Sequence, residues 1–172
     1  LFAASSLGMG AAPLWLRNVA ISPDGTTIAF TYKGNIFTVP VKGGDARQLT
    51  SGGSYNTLPV WSPDGSKIAF NSDREGSLDI FVVDSKGGVP KRLTTNSGNE
   101  TPLAFKDNNH VVFATADMPA PTAAQAAFTQ QVYTVSLDGG RPEMMISLTI
   151  PALSINRDGR VLYQDRKGVE NI

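Results

Sequence analysis

Short apolar runs recur along the chain, separated by clusters of Ser, Pro, Asp, Asn and Gly. One stretch sets the pattern: Val60-Trp61, then Ser62-Pro63-Asp64-Gly65, then Ile68-Ala69-Phe70. Pro63 presets the φ that the second position of a type I turn requires, and Ser62 can hydrogen-bond back into that turn. Gly65 tolerates the positive φ that ends it. The apolar run that follows does not alternate with polar residues, as expected of a strand buried on both faces. The stretch therefore predicts strand, tight turn, strand.

The same unit returns at a period of roughly 40 residues, the spacing of repeat architectures. A first copy, about 16–50, contains Val19-Ala20-Ile21-Ser22-Pro23-Asp24-Gly25, Thr27-Ile28-Ala29-Phe30, Asn35-Ile36-Phe37-Thr38-Val39, Gly43-Gly44 and Arg47-Gln48-Leu49-Thr50. The second, about 54–95, follows the central stretch with Asp79-Ile80-Phe81-Val82-Val83-Asp84, Gly87-Gly88 and Lys91-Arg92-Leu93-Thr94. It is longer in the hairpin between its second and third strands, where Ser72 to Leu78 replaces Tyr32-Lys33-Gly34. A third copy, about 99–146, aligns Pro102–Phe113 on Pro59–Phe70 without gaps. There Lys106 replaces the turn proline, and Asn108 replaces the glycine as the next best residue for positive φ. Its third strand is Gln131-Val132-Tyr133-Thr134-Val135, after an enlarged loop over 117–129 whose Ala-rich part fits one or two helical turns. Copy four opens at Leu153-Ser154-Ile155-Asn156-Arg157-Asp158-Gly159 and ends at Ile172, where its third strand is expected to begin.

Four antiparallel strands per repeat is the signature of a β-propeller blade. A β-sandwich could use the same hairpins, but it rarely repeats a turn motif at fixed period. The expected fold is all-β: a propeller of four-stranded blades, present as about three and a half, over residues 14–172. An open ring leaves blade edges unpaired, so the chain is expected to be part of a longer protein and able to self-associate through those edges. Residues 1–13, small and apolar and ending Ala11-Ala12-Pro13, read as the tail of a secretory signal peptide or as an N-terminal arm.

Composition narrows the function classes. The 172 residues carry 15 basic and 15 acidic side chains, a formal net charge of zero. Nucleic-acid and membrane-surface roles, which need a basic excess, gain no support. No run of about 20 apolar residues predicts a membrane-spanning helix. With 17 glycines and 11 prolines set between apolar strands, the chain is turn-rich, not disordered. The absence of cysteine removes disulfides, thiolate metal sites and thiol nucleophiles.

Candidate chemistry is sparse. The one histidine, His110, aligns with Lys67 beside a hairpin turn, where a solvent-facing side chain is expected. Gly52-Gly53-Ser54-Tyr55-Asn56 approaches a nucleophile-elbow motif but lacks its second glycine and falls between blades. Asp24, Asp64, Asp107 and Asp158 recur one per blade, which suits capping of each turn and not the clustered oxygens a calcium ion needs. Asp73-Arg74 and Asp165-Arg166 recur at one hairpin position and suggest an ion pair or turn ordering. The Gly-Gly pairs read as turns, since no helix or P-loop lysine follows. Asn99-Glu100-Thr101 fits a glycosylation acceptor only in a eukaryotic secreted context. No catalytic, cofactor-binding or metal-binding residue is assigned, and no cofactor is expected.

The repeat resembles the PD40, or TolB-like, propeller repeat through Trp61-Ser62-Pro63-Asp64-Gly65, Ile68-Ala69-Phe70, Ser72-Asp73-Arg74, Asp79 to Asp84 and Arg92-Leu93-Thr94. With its signal-like start, the segment 14–25, together with Tyr32-Lys33-Gly34-Asn35-Ile36 and Tyr163-Gln164-Asp165-Arg166-Lys167-Gly168, is most similar to the N-terminal propeller of secreted bacterial tricorn-like serine peptidases. That resemblance implies a non-catalytic propeller, secreted or periplasmic, that gates substrate or binds a peptide or protein at its channel or loops. It implies PDZ and peptidase domains downstream in the parent protein. A stand-alone TolB-like interaction scaffold and the propeller of a prolyl-oligopeptidase-type peptidase remain the alternatives.

Overall fold

The computed structural model describes residues 16–115, 130–148, 152–155, 160–165 and 168–171. Fifteen strands are found among them, and each blade is a meander whose strands lie in chain order. The first blade holds β1 (Leu16–Ile21), β2 (Thr27–Tyr32), β3 (Asn35–Pro40) and β4 (Arg47–Gln48). The second holds β5 (Asn56–Trp61), β6 (Lys67–Glu75), β7 (Ser77–Asp84) and β8 (Lys91–Arg92). The third holds β9 (Glu100–Asp107), β10 (His110–Thr115), β11 (Gln130–Ser136) and β12 (Glu143–Leu148). A fourth sheet shows β13 (Ala152–Ile155), β14 (Val161–Asp165) and β15 (Gly168–Asn171). All neighbours pair antiparallel. The first strands of successive blades lie against one another. They form the inner wall, and the two-residue β4 and β8 lie outermost. This is the expected partial β-propeller.

The turns of the first two copies fold as their residues dictate. Gly25 N–H donates to the Ser22 carbonyl and Gly65 N–H to the Ser62 carbonyl, each at 2.9 Å. Both glycines sit at φ near +70°: +73° for Gly25 and +71° for Gly65. An L side chain would be strained there.

Burial follows the repeat. Ala29, Ile36 and Leu49 of the first blade pack on Ile68, Phe70, Phe81 and Val83 of the second. Their equivalents Ala69, Ile80 and Leu93 pack on Phe105, Val111, Phe113, Tyr133 and Val135 of the third. At both junctions an aliphatic face of one blade thus meets an aromatic-bearing face of the next. Stacked ring pairs mark the aromatic faces, Phe70 on Phe81 and Phe113 on Tyr133. Strands covered on both faces need no polar alternation, which accounts for the runs Ile68-Ala69-Phe70 and Val111-Val112-Phe113, all fully buried. Each large side chain so buried stabilises by about 2–3 kcal/mol.

The extra residues of the second copy lengthen the hairpin between its second and third strands: β6 runs on to Glu75 and turns at Gly76, with a register shift between Ser72 and Glu75. The structure departs from the sequence reading at two places. First, Asn108 does not take a positive φ. β9 extends to Asp107, which pairs with His110, so the third turn is a tighter hairpin with no left-handed position to fill. Second, the third strand of the fourth blade begins at Gly168, because Asp165 pairs directly with it. That spacing matches the short Tyr32–Asn35 hairpin of the first blade, not the longer one of the second. The expectations for residues 1–13, for the loop 117–129 and for the turn at Asp158 lie outside the described residues.

Candidate binding surface

The inner strands β1 and β5 each carry a bulge, seen as register shifts between Arg17 and Ala20 and between Thr57 and Val60. At each bulge a non-glycine residue enters the left-handed region, Asn18 at φ 50° and Leu58 at φ 55°. Asparagine tolerates this conformation, but leucine pays about 1–2 kcal/mol for it. The third copy bulges differently, with Leu103 as the extra residue of β9. Such bulges bend an edge strand and re-aim its side chains. Here Arg17, Asn18 and Val19 are exposed on the inner strand, with Leu58 half-buried beside them. The strained segment is held from both sides. Thr57 Oγ1 donates to Asn18 Oδ1 at 2.7 Å, and the Trp61 indole N–H donates to the Ala20 carbonyl at 3.1 Å.

At the turn end of the blades the repeated aspartates are occupied locally. The Asp64 carboxylate accepts from Ser62 Oγ at 2.6 Å and from Ser66 N–H at 2.9 Å. Asp24 accepts from Ser22 Oγ at 2.6 Å and from Thr26 N–H at 3.0 Å. The serine hydroxyl foremost, then the backbone N–H, hold both carboxyls below the ordinary aspartate range. Successive turns touch, since Asp64 N–H donates to Asn108 Oδ1 at 3.0 Å. Between the first and second blades this end opens into a cleft of about 420 Å³ lined by Asp24, Asp45, Arg47, Trp61, Asp64 and Lys86. A second cleft of about 430 Å³ follows between the second and third, lined by Lys67, Asp84, Lys91, Asn109 and Asp138. Both mix cations with anions. Each has a cation of the outermost strand reaching the next blade: Lys91 Nζ donates to the Leu137 carbonyl at 2.6 Å, and the Arg47 guanidinium lies against Gly87.

The opposite end is tied by buried polar groups. Thr50 Oγ1 accepts from Ile36 N–H, and Thr94 Oγ1 from Ile80 N–H, each at 2.9 Å. Around Thr50 the flanking side chains are uncharged amides: its hydroxyl donates to Asn35 Oδ1, and Asn56 Nδ2 donates to the Gly34 and Ser54 carbonyls. Around Thr94 the equivalent positions are acidic. Asp79 and Glu100 are both fully buried. Arg92 Nη2 donates to Asp79 Oδ2 at 2.6 Å, Asn96 Nδ2 to Glu100 Oε1 at 2.7 Å, and Thr94 Oγ1 bonds Glu100 Oε2. Burial pushes both carboxyls up, against the pull of Arg92 on Asp79 and of Thr94 on Glu100.

Asp73 and Arg74 order two elements instead of pairing with each other. Asp73 Oδ1 accepts Tyr55 N–H at 2.7 Å. Arg74 donates to Asn56 Oδ1 at 2.8 Å and lies 4.6 Å over the Phe81 ring. His110 is half-exposed as expected, with Nδ1 2.9 Å from Asp107 Oδ1. Asp107 also accepts Asn109 N–H. Ser136 stands opposite His110 in the β10–β11 register, but its oxygen accepts Asp138 N–H. The side chains of Asp165 and Arg166 lie outside the described residues. Among those described, no three His, Asp or Glu side chains gather to hold a metal, and no helix is long and apolar enough to cross a membrane. The features that the sequence reading missed are the inner-strand bulges and the buried Asp79 and Glu100. Asp79 did carry a signal, an acid directly before the apolar run Ile80-Phe81-Val82-Val83, where the first copy has Asn35 before Ile36.

The chain is 37% identical over 84 residues to tricorn protease homolog 1 of Streptomyces coelicolor, covering 49% of this chain and 8% of that protein. It is 29% identical over 153 residues to the uncharacterized peptidase YuxL of Bacillus subtilis, covering 82% of this chain and 22% of that one. It therefore spans less than a quarter of the length of either relative. Among solved structures, a TolB-type protein from Agrobacterium tumefaciens superposes with a TM-score of 0.63 at 27% identity, over 80% of this chain and 50% of that one. The family model for the tricorn protease N-terminal β-propeller domain matches residues 13–171. Its coverage, together with the meander sheets and the turn-capped repeat, shows that the chain belongs to the tricorn protease N-terminal β-propeller family.

Proposed function

We propose that this propeller is a non-catalytic, peptide- or protein-binding segment of a secreted or periplasmic tricorn-like serine peptidase, where it gates or positions substrate. The observation that carries the reading is the bulged inner wall, with Asn18 and Leu58 in the left-handed region at equivalent positions of β1 and β5. Strained, non-regular strand at an inner edge is retained where the chain is pre-organised for a contact. The mixed-charge clefts suit segments of varied sequence better than a nucleic acid.

The test is fluorescence anisotropy of labelled peptides from a casein digest against the purified chain. Saturable binding is expected, weakened about tenfold by Asn18→Ala, equivalent to ~1.4 kcal/mol. Absence of saturable binding, or binding indifferent to Asn18→Ala and Arg17→Ala together, would sink the reading. The likeness to the TolB-type structure favours a second reading, a scaffold for another envelope protein. Crosslinking in periplasmic extract separates the two: a gate captures a spread of peptides, and a scaffold captures one protein. The likeness to the uncharacterized peptidase YuxL supports a peptidase parent without fixing its class, and a prolyl-oligopeptidase-type parent is the third reading. A PDZ pattern and a serine peptidase pattern in the flanking gene are expected under the first reading, and an α/β-hydrolase pattern under this last one.

A further inference from the structure

The chain contains an internal comparison. Two successive blade junctions are built on the same plan around equivalent threonines, Thr50 and Thr94. In the first, the flanking positions are the amides Asn35 and Asn56, which carry no charge of their own; Asn56 Nδ2 donates to Asn35 Oδ1, and Asn56 Oδ1 accepts from the Arg74 guanidinium. In the second, they are Asp79 and Glu100, both with no exposed surface. One guanidinium, from Arg92 on β8, is paired at this junction, and of the carboxyl oxygens it binds Asp79 Oδ2 alone. Asp79 Oδ1 has no hydrogen-bond partner among the described residues.

Glu100 meets only neutral groups directly: the Thr94 hydroxyl and the Asn96 amide on its carboxyl, and Asn71 Nδ2 on its backbone carbonyl at 3.0 Å. The neighbouring charges do not help it. Glu75 on β6 adds a third anion on the Asp79 side, while Arg74, also on β6, is spent on Asn56 at the first junction. From the third blade, Thr115 stands opposite Glu100 in register and the buried Gln131 stands opposite Thr115, both uncharged. Two buried anions with one cation leave an uncompensated charge, which costs several kcal/mol in a dry site and is relieved by taking up a proton.

We propose that Asp79 and Glu100 make the junction between the second and third blades proton-dependent: closed while one carboxyl is protonated, loosened when both are charged. The ion-paired Asp79 keeps the charge and Glu100 keeps the proton, so that the site holds one anion, one cation and one neutral acid. Burial raises Glu100 and the Asp79 charge beside it raises it further. The sign follows. A carboxyl raised in the folded state stabilises the fold below its unfolded value, and that stability is lost as pH rises through the folded value. Glu100 opens β9, so loosening this junction moves one inner strand away from β5. Its use as a pH-sensitive gate rests on the binding function proposed above. The protonation itself does not, and its test involves no peptide.

Carbon-13 NMR of the Glu100 carboxyl in the full chain reads the proton directly. Its midpoint is expected above the ordinary glutamate value of about 4.3. Asp79→Asn is expected to move it down, because the like charge is gone and Arg92 turns to Glu100. A midpoint at or below the ordinary value, or one unmoved by Asp79→Asn, overturns the proposal. In parallel, the melting temperature of Glu100→Gln minus that of the native chain is expected to rise with pH from that ordinary value upward. A flat difference overturns it as well. If Glu100→Gln does not fold, the native titration and its response to Asp79→Asn decide alone.

Discussion

Leu58 takes a conformation that its side chain disfavours, whereas the equivalent Asn18 does not resist it. Leu58→Asn should therefore be neutral or stabilising in urea unfolding. Leu58→Val should cost about 1–2 kcal/mol, since a β-branched residue fits the left-handed region worst. The turn aspartates give a prediction with a pH sign. Asp64 is held below the ordinary range by Ser62 and Ser66. Its contribution is present above the unfolded value and lost as pH falls through the folded one. Asp64→Ala should accordingly lower the melting temperature at neutral pH, and the gap to the native chain should close in strong acid. A gap of constant size from pH 7 to pH 2 would show that the carboxylate does not act through these hydrogen bonds. Much of this scale is legible in the sequence: Ser-Pro-Asp-Gly names its own turn, and the recurrence of Asp assigns it to capping. Leu58 is not legible, because nothing in a leucine announces positive φ; the bulge is imposed by the pairing of its strand. Asn108 misleads for the converse reason. It suits a left-handed site, but Asp107 and His110 pair and remove that site.

At the scale of elements, strands and hairpins could be read from turn residues and unbroken apolar runs, and the four-strand meander followed. The ends of those elements could not. β6 carries its hairpin out to Glu75, where Arg74 covers the Phe81 ring and reaches Asn56. β15 starts early because its hairpin is of the short kind. Docking between elements rests on few polar anchors, of which Trp61 is testable alone. Trp61→Phe keeps most of the apolar contact but leaves the Ala20 carbonyl without its donor. The expected cost is about 1 kcal/mol in urea unfolding. No change in stability would show that water replaces the indole there.

For the whole molecule, the acidic and basic side chains cancel, and the clefts carry both signs. Association with a peptide should then be steered little by long-range fields. Its rate is expected to change less than about tenfold between low salt and half-molar salt. A steep salt dependence would point to a strongly charged partner instead. The architecture was legible because period, turn and core agree in the first two copies, and period and core carry the reading into the third. The difference between one junction and the next was not, because it depends on which polar side chains meet across blades, and sequence spacing alone does not say which do.

The hydrogen bond from Trp61 to Ala20 has a spectroscopic use. The chain has two tryptophans, Trp15 and Trp61. Trp15→Phe would leave one indole, placed at the junction of the first and second blades, so its emission would shift to the red when that junction admits water. The carboxyl of Glu100 reports on the next junction along. Two native side chains can thus report on adjacent blade junctions separately.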